Sequence, residues 1–330
     1  MGESVADRVA GAIVGLAVGD ALGYPHEFRT VAQVRRELGP DGITDFVRVK
    51  DPHFTRPYIL GPDHPPGTFT DDTQMSVCVA EALVAGGRGP RDALLDDMAR
   101  RFVGWCFSPD NNRAPGEATS TACERLRDGV PRTASGVEGS KGAGANMRVV
   151  PVGLYYADPD EAAEVARQQA DITHHHPAAR EAAAATALAA WLLVRDVPPV
   201  AVADEVRRRC GGRSPDFDEI AGRFDAALAR EPDEVLVRRD RSAVALGEGW
   251  VAEEAVFAAL YCGCRAPDSF RDAVLMAANT DGDSDTVATL AGGFLGARLG
   301  LGAIPEAWRR GLERSADLHD LGRRLAAARG

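Results

Sequence analysis

The chain has 330 residues, of which 45% are hydrophobic and 26% are charged, and its formal net charge is −11. This composition is typical of a folded globular protein that forms one large domain or two small ones, and it argues against intrinsic disorder. The negative charge argues against nonspecific binding to nucleic acid or to anionic membranes, because such binding requires a basic surface. An acidic protein is, however, suited to binding cations.

The predicted elements are almost all helical. Long segments rich in Ala, Leu, Arg and Glu predict helices over residues 5–22, 73–86, 91–104, 160–172, 178–195, 199–210, 216–229, 252–262, 268–278, 286–299 and 313–329. The alternating Val, Ile and Thr patterns that would predict strands are nearly absent. The interruptions at 36–70, 106–119 and 136–151 lack the composition of flexible linkers. We therefore predict an all-α protein in which residues 1–330 form a single domain with long functional loops.

The first predicted helix carries Gly11, Gly15 and Gly19, a spacing that predicts close packing inside the core. No basic region precedes its apolar stretch, which ends at Asp20 after too few residues to span a bilayer. The six cysteines include no C-x-x-C pair, so we expect reduced thiols. We expect a cytoplasmic protein without a membrane segment, and a monomer.

The segment GTFTDDTQMSVCVAEAL, residues 67–83, places several side-chain oxygens at the start of a mostly apolar helix. Either Thr70 or Asp71 can cap such a helix, since a side-chain oxygen accepts a hydrogen bond from a free backbone N–H group. Taken alone, the segment is explained by capping.

The loop from Ser140 to Arg148 contains Gly142 and Gly144. Glycines without side chains let backbone N–H groups approach an anion, so this loop fits a phosphate cradle. Lys141 can reach a phosphate or lie in solvent, and we expect Met147 to pack beneath the loop.

Near the C-terminus, Asp281, Asp283 and Asp285 precede a long uncharged run that predicts a buried helix. The start of a helix stabilises one carboxylate, but it does not balance three. An EF-hand calcium loop is excluded, because its sixth and twelfth positions require Gly and Glu, where this chain has Thr286 and Gly292.

A hard divalent cation accounts for both acidic helix starts. Together the two segments can supply four carboxylates and several hydroxyl oxygens around one or two ions of the size of Mg²⁺. Two ions balance the charge better than one.

Five motifs occur in an order that resembles the ADP-ribosylglycohydrolase family. They are GLAVGDALGYPHEF, GTFTDDTQM, GSKGAGANMRVVPVGL, DITHHHPAA and NTDGDSDTVATLAGGFLGA, and they extend from about Gly11 to Ala297. The resemblance implies an all-α fold with two Mg²⁺ or Mn²⁺ ions between the two acidic segments. It also implies hydrolysis of an N- or O-glycosidic bond of ADP-ribose in an ADP-ribosylated protein or a small ADP-ribosyl conjugate.

The resemblance also implies a set of metal ligands: Thr70, Asp71, Asp72, Asp283, Asp285 and Thr286. Asp281 stands where many family members have Gly, and Ser284 where many have Thr. We therefore leave Asp281 outside the ligand set.

Further roles follow from the same resemblance. Glu27 matches a flexible-loop glutamate near the metals, with a gating or catalytic role, while Asp71 and Asp285 are the candidates for the general base. His174 matches a residue that contacts the substrate, and His175 and His176 are expected at the surface. The substrate-binding loop then includes Ser140, Gly142, Gly144 and Met147. Asp20 lies among small apolar residues and is either a hydrogen-bonded packing anchor or catalytic.

Two other functions were compared with this one. A terpene synthase is disfavoured, because DDTQM breaks the D-D-x-x-D pattern and 6% aromatic residues leave little to line a carbocation pocket. A noncatalytic ADP-ribose-binding protein on the same fold stays open, although two intact acidic segments favour catalysis.

Overall fold

The structure is a computed structural model, and it describes residues 4–48, 64–109, 111–113 and 115–329. In these residues the α-helices are α1 (Val5–Gly23), α2 (Val31–Leu38), α3 (Asp71–Gly86), α4 (Arg91–Cys106), α5 (Glu117–Arg127), α6 (Val150–Tyr155), α7 (Pro159–Asp171), α8 (Pro177–Leu193), α9 (Pro199–Cys210), α10 (Pro215–Leu228), α11 (Pro232–Val235), α12 (Ala252–Arg265), α13 (Phe270–Ala278), α14 (Ser284–Leu299), α15 (Glu306–Gly311) and α16 (Ser315–Ala328). The strands β1 (Val137–Glu138) and β2 (His174–His175) pair in parallel, with Val137 opposite His174.

The all-α prediction is confirmed, and each long predicted helix corresponds to a helix of the structure. The sequence did not predict the shorter helices α2, α5, α6, α11 and α15. Part of the interruption predicted at 36–70 lies outside the described residues. Within the described ranges, no helix has the length and apolar character needed to cross a membrane. The assignment of the whole chain to one domain stays a prediction.

Helices α1 and α14 pack against each other in antiparallel fashion at the centre of the core. The close approach uses four glycines one turn apart on α1: Gly11, Gly15, Gly19 and Gly23. A Cβ atom at Gly11 would lie 2.6 Å from the carbonyl oxygen of Gly296, and one at Gly23 would lie 2.5 Å from Asp285 Cα. Since neither position has room for a side chain, the end of α1 lies directly against the start of α14.

Candidate active site

The start of α14 is capped by its own acidic residues. Asp283 is the N-cap, and its Oδ1 accepts a hydrogen bond of 3.2 Å from the Thr286 amide. The same amide donates to Asp285 Oδ1 at 3.0 Å. The helix therefore uses one N–H group of Thr286 for two buried carboxylates, and most of their oxygen lone pairs are left for other ligands.

The start of α3 is capped from a different helix. The carboxylate of Asp20 on α1 accepts hydrogen bonds from the amide and the hydroxyl of Thr70, at 3.0 and 2.8 Å. It accepts two more from the amide and the hydroxyl of Thr73, at 3.0 and 2.6 Å. Asp20 is thus a buried polar anchor between α1 and α3. Because Asp20 provides the cap, Asp71 and Asp72 are not needed for it.

The two acidic helix starts come together, as the sequence predicts. Asp72 is buried, and the carboxylates that act on it electrostatically include Asp285, Asp71 and Asp283. One carboxylate oxygen of each of Glu27, Asp283 and Asp285 lies within 4.8 Å of the other two. Glu27 therefore belongs to the same group of carboxylates. We call these five side chains, Glu27, Asp71, Asp72, Asp283 and Asp285, the acidic cluster.

Burial and mutual repulsion dominate the electrostatics of the acidic cluster. Burial, followed by the charge of Asp285, raises the pKa of Asp72 and of Asp283 well above the usual range for an aspartate. The same two causes raise the pKa of the neighbouring Asp20 to about 7, despite its four hydrogen bonds. The charges that act most strongly on these three carboxyls are all carboxylates. This arrangement is unfavourable for the ionised form unless a cation is bound.

The donor set fits a hard cation. Asp72 Oδ1 is buried and has no hydrogen-bond partner among the described residues. The atoms that could coordinate a metal are carboxylate oxygens and hydroxyl oxygens, including those of the buried Thr70 and Thr286. Mg²⁺ and Mn²⁺ prefer such oxygen ligands. The residues present are therefore compatible with the predicted metal site.

Asp281 lies outside the acidic cluster, and the structure explains its charge. Its Oδ1 accepts a hydrogen bond from the Val31 amide at 2.8 Å, and its Oδ2 accepts one from Arg241 Nη1 at 2.7 Å. Beside it, the Phe28 amide donates to the carbonyl of Gly282 at 2.6 Å. Asp281 thus holds the segment that follows Glu27. No pattern in the sequence indicates Arg241 as its partner, because the two residues are 40 positions apart.

A short segment that was not predicted from the sequence, residues 248–251, connects the acidic cluster with the glycine-containing loop. The Asp283 amide donates to the Glu248 carbonyl at 2.7 Å, and the Ala143 amide donates to the Trp250 carbonyl at 3.1 Å. The Trp250 ring stacks on Phe28 with 4.5 Å between the centroids. The available signal in the sequence was a tryptophan that follows two closely spaced glycines, Gly247 and Gly249.

The loop from Ser140 to Arg148 differs from the predicted phosphate cradle in two respects. Lys141 Nζ binds two carboxylates, Asp216 at 2.9 Å and Glu253 at 2.8 Å, so its charge is already neutralised. The Ala143 amide is used by the Trp250 carbonyl, as described above. Met147 is buried, as expected, and Ser140 is partly exposed.

The two glycines of this loop make room for His174. A Cβ atom at Gly144 would lie 2.9 Å from His174 Cε1, and one at Gly142 would lie 3.4 Å from Nε2. Burial and the charge of Arg148 lower the pKa of His174 to about 3, so the ring is neutral at pH 7. The structure therefore brings His174 and the predicted loop together. Of the other two histidines, His175 is exposed, whereas His176 caps α8 by accepting from the Ala178 amide at 3.1 Å.

Comparisons with known proteins agree with the fold and with the motifs. The model of the ADP-ribosylglycohydrolase family matches residues 1–330. The ADP-ribosyl-[dinitrogen reductase] glycohydrolase of Rhodospirillum rubrum is 28% identical over 93% of this chain and 90% of its own length. ADP-ribosylhydrolase ARH3 of Homo sapiens is 26% identical over 74% of each chain. A solved structure of an ADP-ribosylglycohydrolase-related protein complex has a TM-score of 0.73 and 28% identity, over 98% of both chains. This chain therefore belongs to the ADP-ribosylglycohydrolase family.

Proposed function

We propose that this protein is a metal-dependent hydrolase that cleaves the glycosidic bond of ADP-ribose conjugates and releases ADP-ribose. The observation that carries the proposal is the acidic cluster, which is buried and whose strongest electrostatic neighbours are other carboxylates. A cluster of this kind is stable in its ionised form only with cations bound. Family membership supports ADP-ribose as the part of the substrate that is recognised.

The proposed metal ligands are the six residues named from the motifs. Asp71 and Asp72 lie at the start of α3, Asp283 and Asp285 lie at the start of α14, and the hydroxyls of Thr70 and Thr286 lie beside them. We propose two Mg²⁺ ions, with Mn²⁺ as an alternative. When bound, such ions would hold hydroxyls of the ribose distal to adenine and would lower the pKa of a bound water.

Carboxylates of the chain would then accept the proton of the attacking water. Asp71 or Asp285 accepts the proton of the attacking water as the anomeric bond lengthens towards an oxocarbenium-like state. Glu27 lies close enough to Asp283 and Asp285 to share this role or to close the site over the ribose. Asp20 does not act directly, because its four hydrogen bonds are committed to α3.

The second half of the site would bind the diphosphate. Gly142 and Gly144 lie against the His174 ring, Ser140 lies beside Gly142, and Met147 is buried in the same loop. Residues 248–251 connect this loop to the acidic cluster through backbone hydrogen bonds. A substrate with a diphosphate next to its reacting ribose can therefore contact both parts.

The proposal is tested with a panel of defined substrates. The panel contains peptides ADP-ribosylated on arginine, with an N-glycosidic bond, and on serine, with an O-glycosidic bond, together with small ADP-ribosyl conjugates. We expect release of ADP-ribose from at least one class with Mg²⁺ or Mn²⁺, and release slower by a factor of about 10² or more with EDTA or with Asp285→Asn. Tight binding of ADP-ribose without release from any conjugate would instead indicate a noncatalytic ADP-ribose-binding protein.

A further inference from the structure

A fully buried arginine lies behind the histidine of the site. Arg148 has no exposed side-chain surface, and its Nε donates to Gln169 Oε1 at 2.8 Å. Its Nη2 donates to the Gln169 carbonyl at 3.2 Å and to Thr173 Oγ1 at 2.8 Å. Gln169 Nε2 in turn donates to the Ala145 carbonyl at 2.8 Å. Arg148, the last residue of the glycine-containing loop, is therefore fixed to Gln169 and to the residue before His174.

The hydrogen bonds determine where the hydroxyl proton of Thr173 lies. A guanidinium group has only donors, so Thr173 Oγ1 must accept from Arg148. Thr173 is fully buried, and His174 Nδ1, at 2.8 Å, is the remaining hydrogen-bond partner of its hydroxyl among the described residues. A buried hydroxyl proton without an acceptor is costly. The hydroxyl therefore donates to Nδ1.

We infer that Arg148 and Thr173 are positioning residues that fix His174 as the neutral tautomer with its proton on Nε2. Since Nδ1 accepts a hydrogen bond, the proton of the neutral ring must be on the opposite nitrogen. Nε2 belongs to the ring edge that faces Gly142 and Gly144. Within the described part of the chain, the ring makes no other hydrogen bond.

This tautomer gives the site a hydrogen-bond donor for an anionic oxygen. An Nε2–H group can donate to a phosphate oxygen, whereas the other tautomer would present a lone pair and repel it. The donor would serve the diphosphate of the conjugate, a step that rests on the proposed function. It also provides what Lys141 cannot, because Lys141 is paired with Asp216 and Glu253.

The tautomer is tested by NMR on the free protein labelled with ¹⁵N-histidine. In two-bond ¹H–¹⁵N spectra we expect His174 to show an unprotonated Nδ1 and a protonated Nε2, with the signal identified among seven histidines by its loss in His174→Gln. A protonated Nδ1 in the parent protein would overturn the inference. This result does not depend on whether any conjugate is hydrolysed.

The role in binding is tested with a matched pair of variants, Thr173→Val and Thr173→Ser. Valine has nearly the same shape as threonine but no hydroxyl, whereas serine keeps it. By calorimetry with free ADP-ribose, we expect Thr173→Val to bind about tenfold more weakly, equivalent to about 1.4 kcal/mol, and Thr173→Ser to bind like the parent. With a hydrolysed conjugate, KM should rise in Thr173→Val while kcat changes little. Unchanged affinity in a folded Thr173→Val, or equal losses in both variants, would contradict the binding role.

Discussion

The starts of α3 and α14 have the same type of sequence but are stabilised differently. Each has Asp and Thr residues at its N-cap and in its first turn, and each contributes carboxylates to the buried acidic cluster. Helix α14 is capped by Asp283, one of its own acidic residues. Helix α3 is capped by Asp20 of α1, which binds the amides of Thr70 and Thr73.

The two helix starts differ in whether the capping carboxylate is also a proposed metal ligand. At α3 the carboxylate that accepts from the first amides is that of Asp20, which is not a proposed ligand. At α14 Asp283 has both roles, although Asp285 also accepts from the Thr286 amide. Variants at the two helix starts should therefore affect folding and activity in different proportions.

The largest effect is expected for Asp285→Asn. Loss of this proposed ligand and candidate base should reduce the rate of hydrolysis by a factor of about 10² to 10⁴ or more. The negative charge of Asp285 repels the neighbouring carboxylates and raises the pKa of Asp20, Asp72 and Asp283. Because the variant lacks this repulsion, its metal-free form should be at least as thermally stable as the parent. Asparagine also keeps an acceptor for the Thr286 amide.

Two measurements check this prediction. One is the rate of ADP-ribose release, and the other is the Tm in EDTA and in millimolar Mg²⁺. Asp285→Asn should lose most of the stabilisation that Mg²⁺ gives the parent by mass action. A near-parental rate, or a sharp fall of the Tm in EDTA, would make Asp285 a capping residue only.

The second prediction concerns the two caps. Asp20→Ala leaves two amides and two hydroxyls of Thr70 and Thr73 without their acceptor, so the free energy of unfolding should fall by about 3 kcal/mol or more. Asp283→Ala should cost about 1 kcal/mol or less in EDTA, because Asp285 still accepts from the Thr286 amide. Urea denaturation of both variants measures the difference. Equal losses would show that the two helix starts are stabilised in the same way.

The third prediction is a pH dependence of the metal-free protein. The folded-state pKa of Asp20, about 7, lies above the value of about 3.9 in an unfolded chain. The folded state therefore binds a proton that the unfolded state releases, and this stabilising contribution is complete below about pH 3.9 and lost as the pH rises through about 7. The raised pKa values of Asp72 and Asp283 act in the same direction.

We expect the Tm in EDTA to fall by a few degrees between about pH 5 and about pH 8. Saturating Mg²⁺ should remove or reverse this fall, because cations bind the deprotonated carboxylates and compete with protons. Asp20→Asn should flatten the curve in EDTA. A Tm in EDTA that rises over this pH interval would contradict the raised pKa values of these carboxyl groups.

The smallest effect is expected for Asp281→Asn. Asparagine keeps an oxygen acceptor for the Val31 amide and loses only the ion pair with the partly exposed Arg241, so stability should fall by about 1 kcal/mol or less. Hydrolysis should stay clearly measurable. Asp281→Ala, which also removes the acceptor for Val31, should be less stable and less active. If Asp281→Asn lost activity as Asp285→Asn does, Asp281 would have to be placed among the ligands.

The parts of the molecule that could be predicted from the sequence depend on local pattern. The apolar runs predicted the helices over 252–262 and 286–299, which the structure has as Ala252–Arg265 and Ser284–Leu299. Helix α5 was missed, because weak helix formers, residues 119–121 and Cys123, interrupt its first half and it follows a loop with Pro and Gly. The acidic helix starts were recognisable because Asp and Thr are adjacent in the chain.

The remaining features depend on contacts between distant positions. Asp20 accepts hydrogen bonds from Thr70, which is 50 residues later, and Arg241 binds Asp281 across 40 residues. Thr173 receives its hydrogen bond from Arg148, 25 residues away. The helix packing that forms these pairs is set by the glycines of α1 and by the folded core, and no local pattern encodes the partners.

The most direct test of the central claim is anomalous diffraction from crystals soaked in Mn²⁺. The acidic cluster should hold one or two ions between the pair Asp71 and Asp72 and the pair Asp283 and Asp285, with anomalous peaks about 2 Å from carboxylate oxygens. Crystals of Asp285→Asn soaked in parallel should lose at least one peak. Ordered density for all four aspartates without any anomalous peak at saturating Mn²⁺ would contradict the claim that these carboxylates are a cation site.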